Sequence, residues 1–233
     1  MDKEMELELD SSFIYDPSLV LYLPLYKKDG GSFCSEDAYG HLCTDYGALW
    51  VPQGRTFDGT DDYIDCSPAV SDGKLGNAFT WICWGKLGKW DANQNYIGAG
   101  STTNGNEYMG IDFLTADKKL YARTSKSVGG VLANVVGSTG TYNNDSTFHF
   151  LAVTVDADGH INHFIIDTVD QGNDSTNVVD ASSSIHLYIG QLPYTSANIN
   201  SFKGTDGEVL LYTRELSLVG IEQIRLATKW RYQ

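Results

Sequence analysis

Residues 54–66 read GRTFDGTDDYIDC. Two short pieces rich in β-branched and aromatic residues, Thr56-Phe57 and Tyr63-Ile64, bracket a turn. Asp58, Asp61, Asp62 and Asp65 fall within eight residues of one another. Asp-Gly between two such pieces spells strand, tight turn, strand. The carboxylates admit two uses. They can bond the backbone amides of the turn, or Asp58, Asp61 and Asp62 can contribute oxygens to a calcium ion, which takes roughly six to eight. Carboxylates this dense repel one another without a cation between them.

The same strand-and-turn rhythm extends both ways. LVLYLPLY (19–26) reads as a strand, with Pro24 pushing it toward a sheet edge. Short strands follow over 46–52, 55–57 and 63–66. FTWICWGKL (79–87) is apolar on both alternating faces, which predicts a central strand covered by other layers on either side. Further strands are predicted over 95–101, 107–114, 119–124, 131–136, 185–192 and 202–213. FHFLAVTVDADGHINHFIID (148–167) is a hairpin whose Gly159 supplies a positive φ. One helix stands out, SLVGIEQIRLATKW (217–230). Ser217 is its cap, and Val219, Ile221, Ile224 and Ala227 are expected on its apolar face.

Composition agrees with many short strands. Hydrophobic residues make up 42% of the 233, enough for a sizeable core, and 24 glycines against only 20% charged residues suit tight turns. With no linker or repeat, residues 1–18 read as an irregular lead-in and 19–233 as one domain. The net charge of −14 repels nucleic acid and anionic membranes and suits a neutral or cationic ligand. No apolar run approaches the roughly 20 residues of a membrane span, and the N-terminus lacks the apolar core of a secretory signal. Cys34, Cys43, Cys66 and Cys83 form no C-x-x-C pair, which argues against structural zinc. Cys34 and Cys43 flank a glycine-containing loop and are open to a local disulfide, whereas Cys83 sits in an apolar run as a small buried hydrophobe.

Five ordered pieces carry a family resemblance: LVLYLPLY, the FDGTDDYI of 57–64, FTWICWGKL, the 148–167 hairpin, and LYIGQ followed by FKGTDGEVLLYTRELSLVGIEQIRL. Together they resemble the concanavalin A-like lectin/glucanase superfamily, of laminin-G-like type. The resemblance implies an all-β, two-sheet antiparallel jelly-roll sandwich with one short C-terminal helix. It also implies calcium near such loops. If the first and last strands are neighbours, Asp206 and Glu208 come within reach of Asp58, Asp61 and Asp62. The sequence departs from the family at Asp206-Gly207-Glu208-Val209, where a glycine is inserted.

Glycan recognition needs aromatic faces flanked by amide and carboxylate groups. The loops offer Trp90, Asp91, Asn93, Gln94 and Tyr96, then Asn106 and Tyr108, then Tyr194. A retaining glucanase needs alternating carboxylates on an interior strand, about 5 Å apart. The one alternating acidic run is Glu6, Glu8 and Asp10, ahead of the domain. The expectation is therefore a non-catalytic, lectin-like carbohydrate-binding module, not an enzyme, with a possible structural calcium and a glycan partner. The competing expectation is a surface protein of a virion or cell appendage that binds protein neighbours. Either places the chain outside the cell or on a virion surface.

Overall fold

The computed structural model describes residues 12–27, 30–71, 75–88, 93–100, 108–125, 134–142, 147–176, 186–192 and 201–233. Sixteen strands among them, β1 to β16 in chain order, form two antiparallel sheets. The first runs β14 (Val169–Asp170), β13 (Ile161–Ile166), β12 (His149–Val155), β7 (Phe79–Leu87), β16 (Lys203–Tyr212), β5 (Gly54–Asp58), β4 (Leu49–Val51), with β1 (Leu19–Pro24) also paired to β16. The second runs β11 (Asn134–Gly137), β10 (Lys119–Ser125), β9 (Tyr108–Leu114), β8 (Gln94–Gly100), β15 (His186–Ile189), β6 (Tyr63–Asp65), β3 (Leu42–Tyr46), β2 (Ser32–Cys34). Two helices complete the chain, α1 (Pro68–Ser71) and α2 (Leu218–Thr228). No helix among the described residues is long and apolar enough to cross a membrane.

Alternation along each strand builds the core. Phe79, Trp81, Cys83 and Leu87 of β7 face inward with Val209 and Leu211 of β16, against Ile97, Met109, Ile111, Phe113, Leu187 and Ile189 of the second sheet. The other face of β7, Ile82 and Trp84, is buried beneath Ile221 and Ile224 of α2. That is why FTWICWGKL has no polar face. In α2 the Ser217 Oγ accepts from the Gly220 N–H, as the cap predicts. Val219 does not join the apolar face: it is 69% exposed. It lies two residues before Ile221, about 200° around the helix from it.

The predicted strand over 46–52 is in fact divided. Residues 42–46 belong to the second sheet and 49–51 to the first. The turn after β5 likewise crosses between sheets, since β5 lies in the first and β6 in the second. GRTFDGTDDYIDC is therefore a corner of the sandwich and not a hairpin.

A bulge in β16 fixes the centre of the first sheet. Asp206 pairs with Gly85 and Val209 with Cys83, so three residues of β16 match two of β7. The extra residue switches faces. Asp206 follows Gly85 toward the interior, while Glu208 points to the outer layer. There the Glu208 Oε1 accepts from the Tyr22 hydroxyl at 2.9 Å and from Arg231 Nη1 at 2.8 Å. The Arg231 guanidinium lies 4.6 Å from both the Tyr26 and the Trp230 ring centroids. Tyr232 stacks on Trp84 at 4.7 Å. Gly207 makes this possible, because a Cβ there would sit 2.3 Å from the Tyr232 ring. Burial drives both carboxyls up. Asp206 has no hydrogen-bond partner on either oxygen among the described residues and titrates well above the usual range. Glu208 is pushed up to about 7, because burial outweighs Arg231 and the hydrogen bonds.

Two outcomes follow from the bulge. Gly207→Ala should destabilise the protein by about 1–3 kcal/mol, the usual cost of an added methyl in a packed site; chemical denaturation measures it, and an unchanged midpoint would show that the Tyr232 ring yields freely. Glu208 titrates near 4.5 when unfolded and near 7 when folded, so the folded state holds the extra proton between these values. Its stabilising contribution is complete below about pH 4.5 and is lost as pH rises through 7. Stability should fall between pH 5 and 8 by an amount on the order of 3 kcal/mol from this group. Glu208→Gln should flatten that slope, and an identical slope in the variant would exclude Glu208 as its source.

Candidate functional site

The acidic corner is built largely from its own backbone. The Asp58 Oδ1 accepts from the Thr60 N–H at 2.7 Å, and the Asp62 Oδ2 accepts from the Asp58 N–H at 2.8 Å. Asp62 is buried, with its Oδ1 occupying the space a Cβ on Gly47 would fill, 2.1 Å away. Burial raises its pKa, and the neighbouring Asp58 and Asp61 add to the rise. One ligand oxygen from each of Asp58, Asp61 and Asp62 lies within 4.8 Å of the others, so the three can hold a metal ion. Asp206 and Glu208 do not complete this set. β5 and β16 are indeed neighbours, but Asp58 pairs with Lys203, and the bulge buries Asp206 in the core and Glu208 in the outer layer. A second trio lies in the 148–167 hairpin, where the sequence shows only turn chemistry. Asp156, Asp158 and His160 also bring ligand atoms within 4.8 Å. The Asp156 Oδ1 accepts from the Asp158 and His160 N–H groups, so its turn geometry is locally set.

The residues predicted for glycan contact do not gather. Trp90, Asp91, Asn106 and Tyr194 lie outside the described residues, and so does the side chain of Tyr108, whose backbone opens β9. Asn93 is exposed, and its Oδ1 accepts from the Thr115 N–H and Oγ1, both at 3.0 Å. Gln94 and Tyr96 are interior. The Gln94 Oε1 accepts from the Lys203 N–H at 2.7 Å, and Tyr96 packs on Phe202 at 4.3 Å. A register shift between Asn95 and Ile97 turns Tyr96 and Ile97 both inward, which strict alternation forbids.

What does gather is on the outer face of the second sheet. Ile64, Leu187 and Ile189 face the core, so Tyr63, Asp65, His186 and Tyr188 face out. Tyr46, Tyr63 and Tyr188 come from three adjacent strands and form a column, Tyr46 stacked on Tyr63 with ring centroids 4.6 Å apart and Tyr188 tilted by 33° against Tyr63 at 4.8 Å. Tyr46 is 47% exposed, and Tyr63 and Tyr188 are half-buried. Asp65 lies beside them. Burial, with Asp65 adding, raises the Tyr63 hydroxyl and pushes Tyr188 up to about 12. Ser67 links the polar edge: its hydroxyl donates to the Asp65 Oδ1 at 2.5 Å and lies 3.2 Å from the His186 Nδ1.

Farther along the same face, Asp112 accepts from Asn95 Nδ2 at 2.5 Å and pairs with Arg123 Nε at 2.8 Å. Glycines separate this network from the tyrosines. Gly98 is opposite Tyr188 in one direction and Gly110 in the other. Without a Cβ on Gly98, the Asn95 amide and the Leu192 side chain lie down on the sheet. The tyrosine column with Asp65, Ser67 and His186 sets aromatic surface beside polar groups, whereas Asn95 and Asp112 are buried. The alternation in Tyr63-Ile64-Asp65 and in His186-Leu187-Tyr188-Ile189 was the available signal for this face. The register that joins the two segments is not written in either.

Comparison with known proteins agrees with the fold. The family model of the concanavalin A-like lectin/glucanases superfamily matches residues 58–221. No curated protein matches the chain. Among solved structures, Trypanosoma rangeli sialidase in complex with sialic acid superposes with a TM-score of 0.68 at 17% identity, covering 93% of this chain and 34% of that one. A mutant of the same sialidase displaying trans-sialidase activity gives 0.67 at 18% identity, with the same shares covered. The chain thus spans about a third of the sialidases it matches. Domain 4 of AbnA, an extracellular arabinanase from Geobacillus stearothermophilus solved with arabinotriose, gives 0.62 at 15% identity and covers 88% of this chain and 96% of that domain.

These matches correct the expectation that the chain is not an enzyme. About a third of each sialidase shares the fold, so the fold offers no ground for excluding glycosidase activity. Asp206 and Glu208 do lie on an interior strand, β16, but the bulge between them sends their carboxyls to opposite faces, so they are not a facing pair. With its family model matched over more than two thirds of its length, the chain belongs to the concanavalin A-like lectin/glucanases superfamily.

Proposed function

We propose that the chain recognises carbohydrate on the outer face of its second sheet, with residues 19–233 acting as one domain. The Tyr46–Tyr63–Tyr188 column beside Asp65 and His186 carries this reading. Sugar rings present apolar C–H faces to aromatic surface and hydroxyls to carboxylate, amide and imidazole groups. Support comes from the AbnA domain, which is of matching extent and was solved with arabinotriose, and from the sialidase solved with sialic acid.

A glycan array carrying arabino-oligosaccharides, sialylated glycans and neutral glycans tests the proposal. An aromatic contact is worth roughly 0.5–1.5 kcal/mol beyond area burial, so Tyr188→Ala should weaken the best ligand about tenfold. Its melting temperature should stay within a few degrees of the parent's. Trp90→Ala separates the face from the preceding loop. Retained affinity in Tyr188→Ala together with loss in Trp90→Ala would move the site to that loop, and no glycan binding at all would sink the proposal.

Calcium is the second element of the reading, held at Asp58, Asp61 and Asp62. Three carboxylates fall short of the roughly six to eight oxygens calcium takes, so water must complete the shell and affinity should be low. Adding calcium to metal-free protein at about ten times Kd should raise the melting temperature by roughly 2–5 °C, and Asp61→Asn should remove the rise. If Asp158→Asn removes it instead, the ion belongs to the 156–160 hairpin; no rise in the parent protein excludes both.

A further inference from the structure

Cys34 and Cys43 are not placed to pair with each other. In the β2–β3 ladder Cys43 is opposite Phe33 and Cys34 opposite Leu42, so alternation sends the two thiols to opposite faces. Cys34 is exposed and Cys43 is buried. The residue that meets Cys43 is Cys66. The β3–β6 ladder pairs Thr44 with Asp65, and one more step sets Cys43 directly across from Cys66. Both are fully buried; the Cys43 thiol donates to the His41 carbonyl and the Cys66 thiol to the Ile64 carbonyl, and Cys43 adds to the rise that burial imposes on the Cys66 thiol.

The backbone at this step suits a covalent bond. The Cys66 N–H donates to the Leu187 carbonyl at 2.8 Å, so its peptide groups point toward β15 and away from β3. Toward β3 it therefore occupies the non-hydrogen-bonded site, where facing Cα atoms are closest, at about 4.5 Å. That separation falls within the roughly 4.4–6.8 Å over which a disulfide closes. Cys83 is not a competitor, since it lies on β7 of the other sheet.

We propose that Cys43 and Cys66 are a disulfide-forming pair that crosslinks β3 to β6 when the chain folds in the presence of a low-molecular-weight disulfide such as oxidised glutathione. The thiolate of one cysteine attacks the oxidant and releases one glutathione thiol. The second thiolate then attacks the protein-side sulfur of the mixed disulfide and releases another. The protein loses two electrons and two protons, and the oxidant gains both. Timing follows from burial. Burial pushes the Cys66 thiol well above its ordinary pKa, which starves the folded chain of the attacking thiolate. The bond should form before the sheets close. The crosslink would hold the same strand pair that stacks Tyr46 on Tyr63, and it stands whether or not that face binds sugar.

The test is refolding of denatured, reduced protein in a glutathione redox buffer, followed by alkylation under denaturing conditions, intact mass and peptide mapping. The expected product carries two alkyl groups instead of four, is about 2 Da lighter before alkylation, and yields a Cys43–Cys66 linked peptide. Its melting temperature should exceed that of the reduced protein by roughly 5–10 °C. Oxidised glutathione added to already folded protein should give the same bond far more slowly. Cys66→Ser should abolish it. Because that change buries a hydroxyl, the double variant Cys34→Ala/Cys83→Ala provides the independent check and should form the bond as the parent does. Four alkylated cysteines after oxidative refolding, or a linked peptide containing Cys34, would overturn the proposal.

Discussion

Everything in the first sheet is organised around the extra residue in β16. That strand is central: β7 runs along one side, and β5 and then β1 along the other. A regular strand would send Asp206 and Glu208 to one face and Val209 to the other. The bulge lets Val209 enter the core beside Cys83 and gives Glu208 to the outer layer, where it finds Arg231 and Tyr22. Arg231 is thereby anchored by a buried ion pair and two aromatic rings, and it ties the chain's last residues to the sheet. Breaking one partner of such a pair strands the other without solvent, a cost of several kcal/mol. Through Arg231 and the buried Tyr232, residues 229–233 are packed against the sheet.

The second sheet solves a different problem. Its inner face is committed to the shared core, so its outer-face side chains must be held from outside that core. Cross-strand stacking supplies the support. Tyr46, Tyr63 and Tyr188 sit on neighbouring strands, with ring centroids 4.6 and 4.8 Å apart, close to the spacing of the strands themselves. Each ring restrains the next without covering it wholly. Glycine at 98 then lets the Asn95 amide and the Leu192 side chain lie against the sheet between this column and the Asp112–Arg123 pair.

Much of the fold was legible because hydrophobic alternation is a strong signal where a strand is buried on both sides. FTWICWGKL, the 148–167 hairpin and the cap at Ser217 all needed local chemistry alone. The candidate site was much less legible, for two reasons. A bulge costs one residue and reverses every side chain beyond it; two of them, after Asn95 and after Asp206, moved Tyr96, Asp206 and Glu208 indoors. Register is the other reason. Tyr63 and Tyr188 are 125 positions apart in the chain, and Cys43 meets Cys66 instead of the nearer Cys34. No local rule relates such pairs; they are set by which strands become neighbours.

Charge adds a final constraint on what the outer face can receive. The formal net charge of −14 counts Asp206 and Glu208 as anions. Burial raises the Asp206 carboxyl well above its usual range and so disfavours its charged form, and Glu208 shares its site with Arg231. Neither projects an unbalanced field to the surface. On the outer face of the second sheet Asp112 is matched by Arg123, which leaves Asp65 as the carboxylate beside the tyrosines, already accepting from Ser67. The local field there is therefore mildly negative within an overall negative molecule, and it opposes the approach of an anion over a Debye length of about 8 Å at physiological salt. A neutral, hydroxyl-rich ligand meets no such barrier. If the face binds sugar as proposed, Asp65 and the His186 imidazole would meet its hydroxyls while tyrosine covers its apolar ring face, and the charge balance would disfavour an acidic sugar.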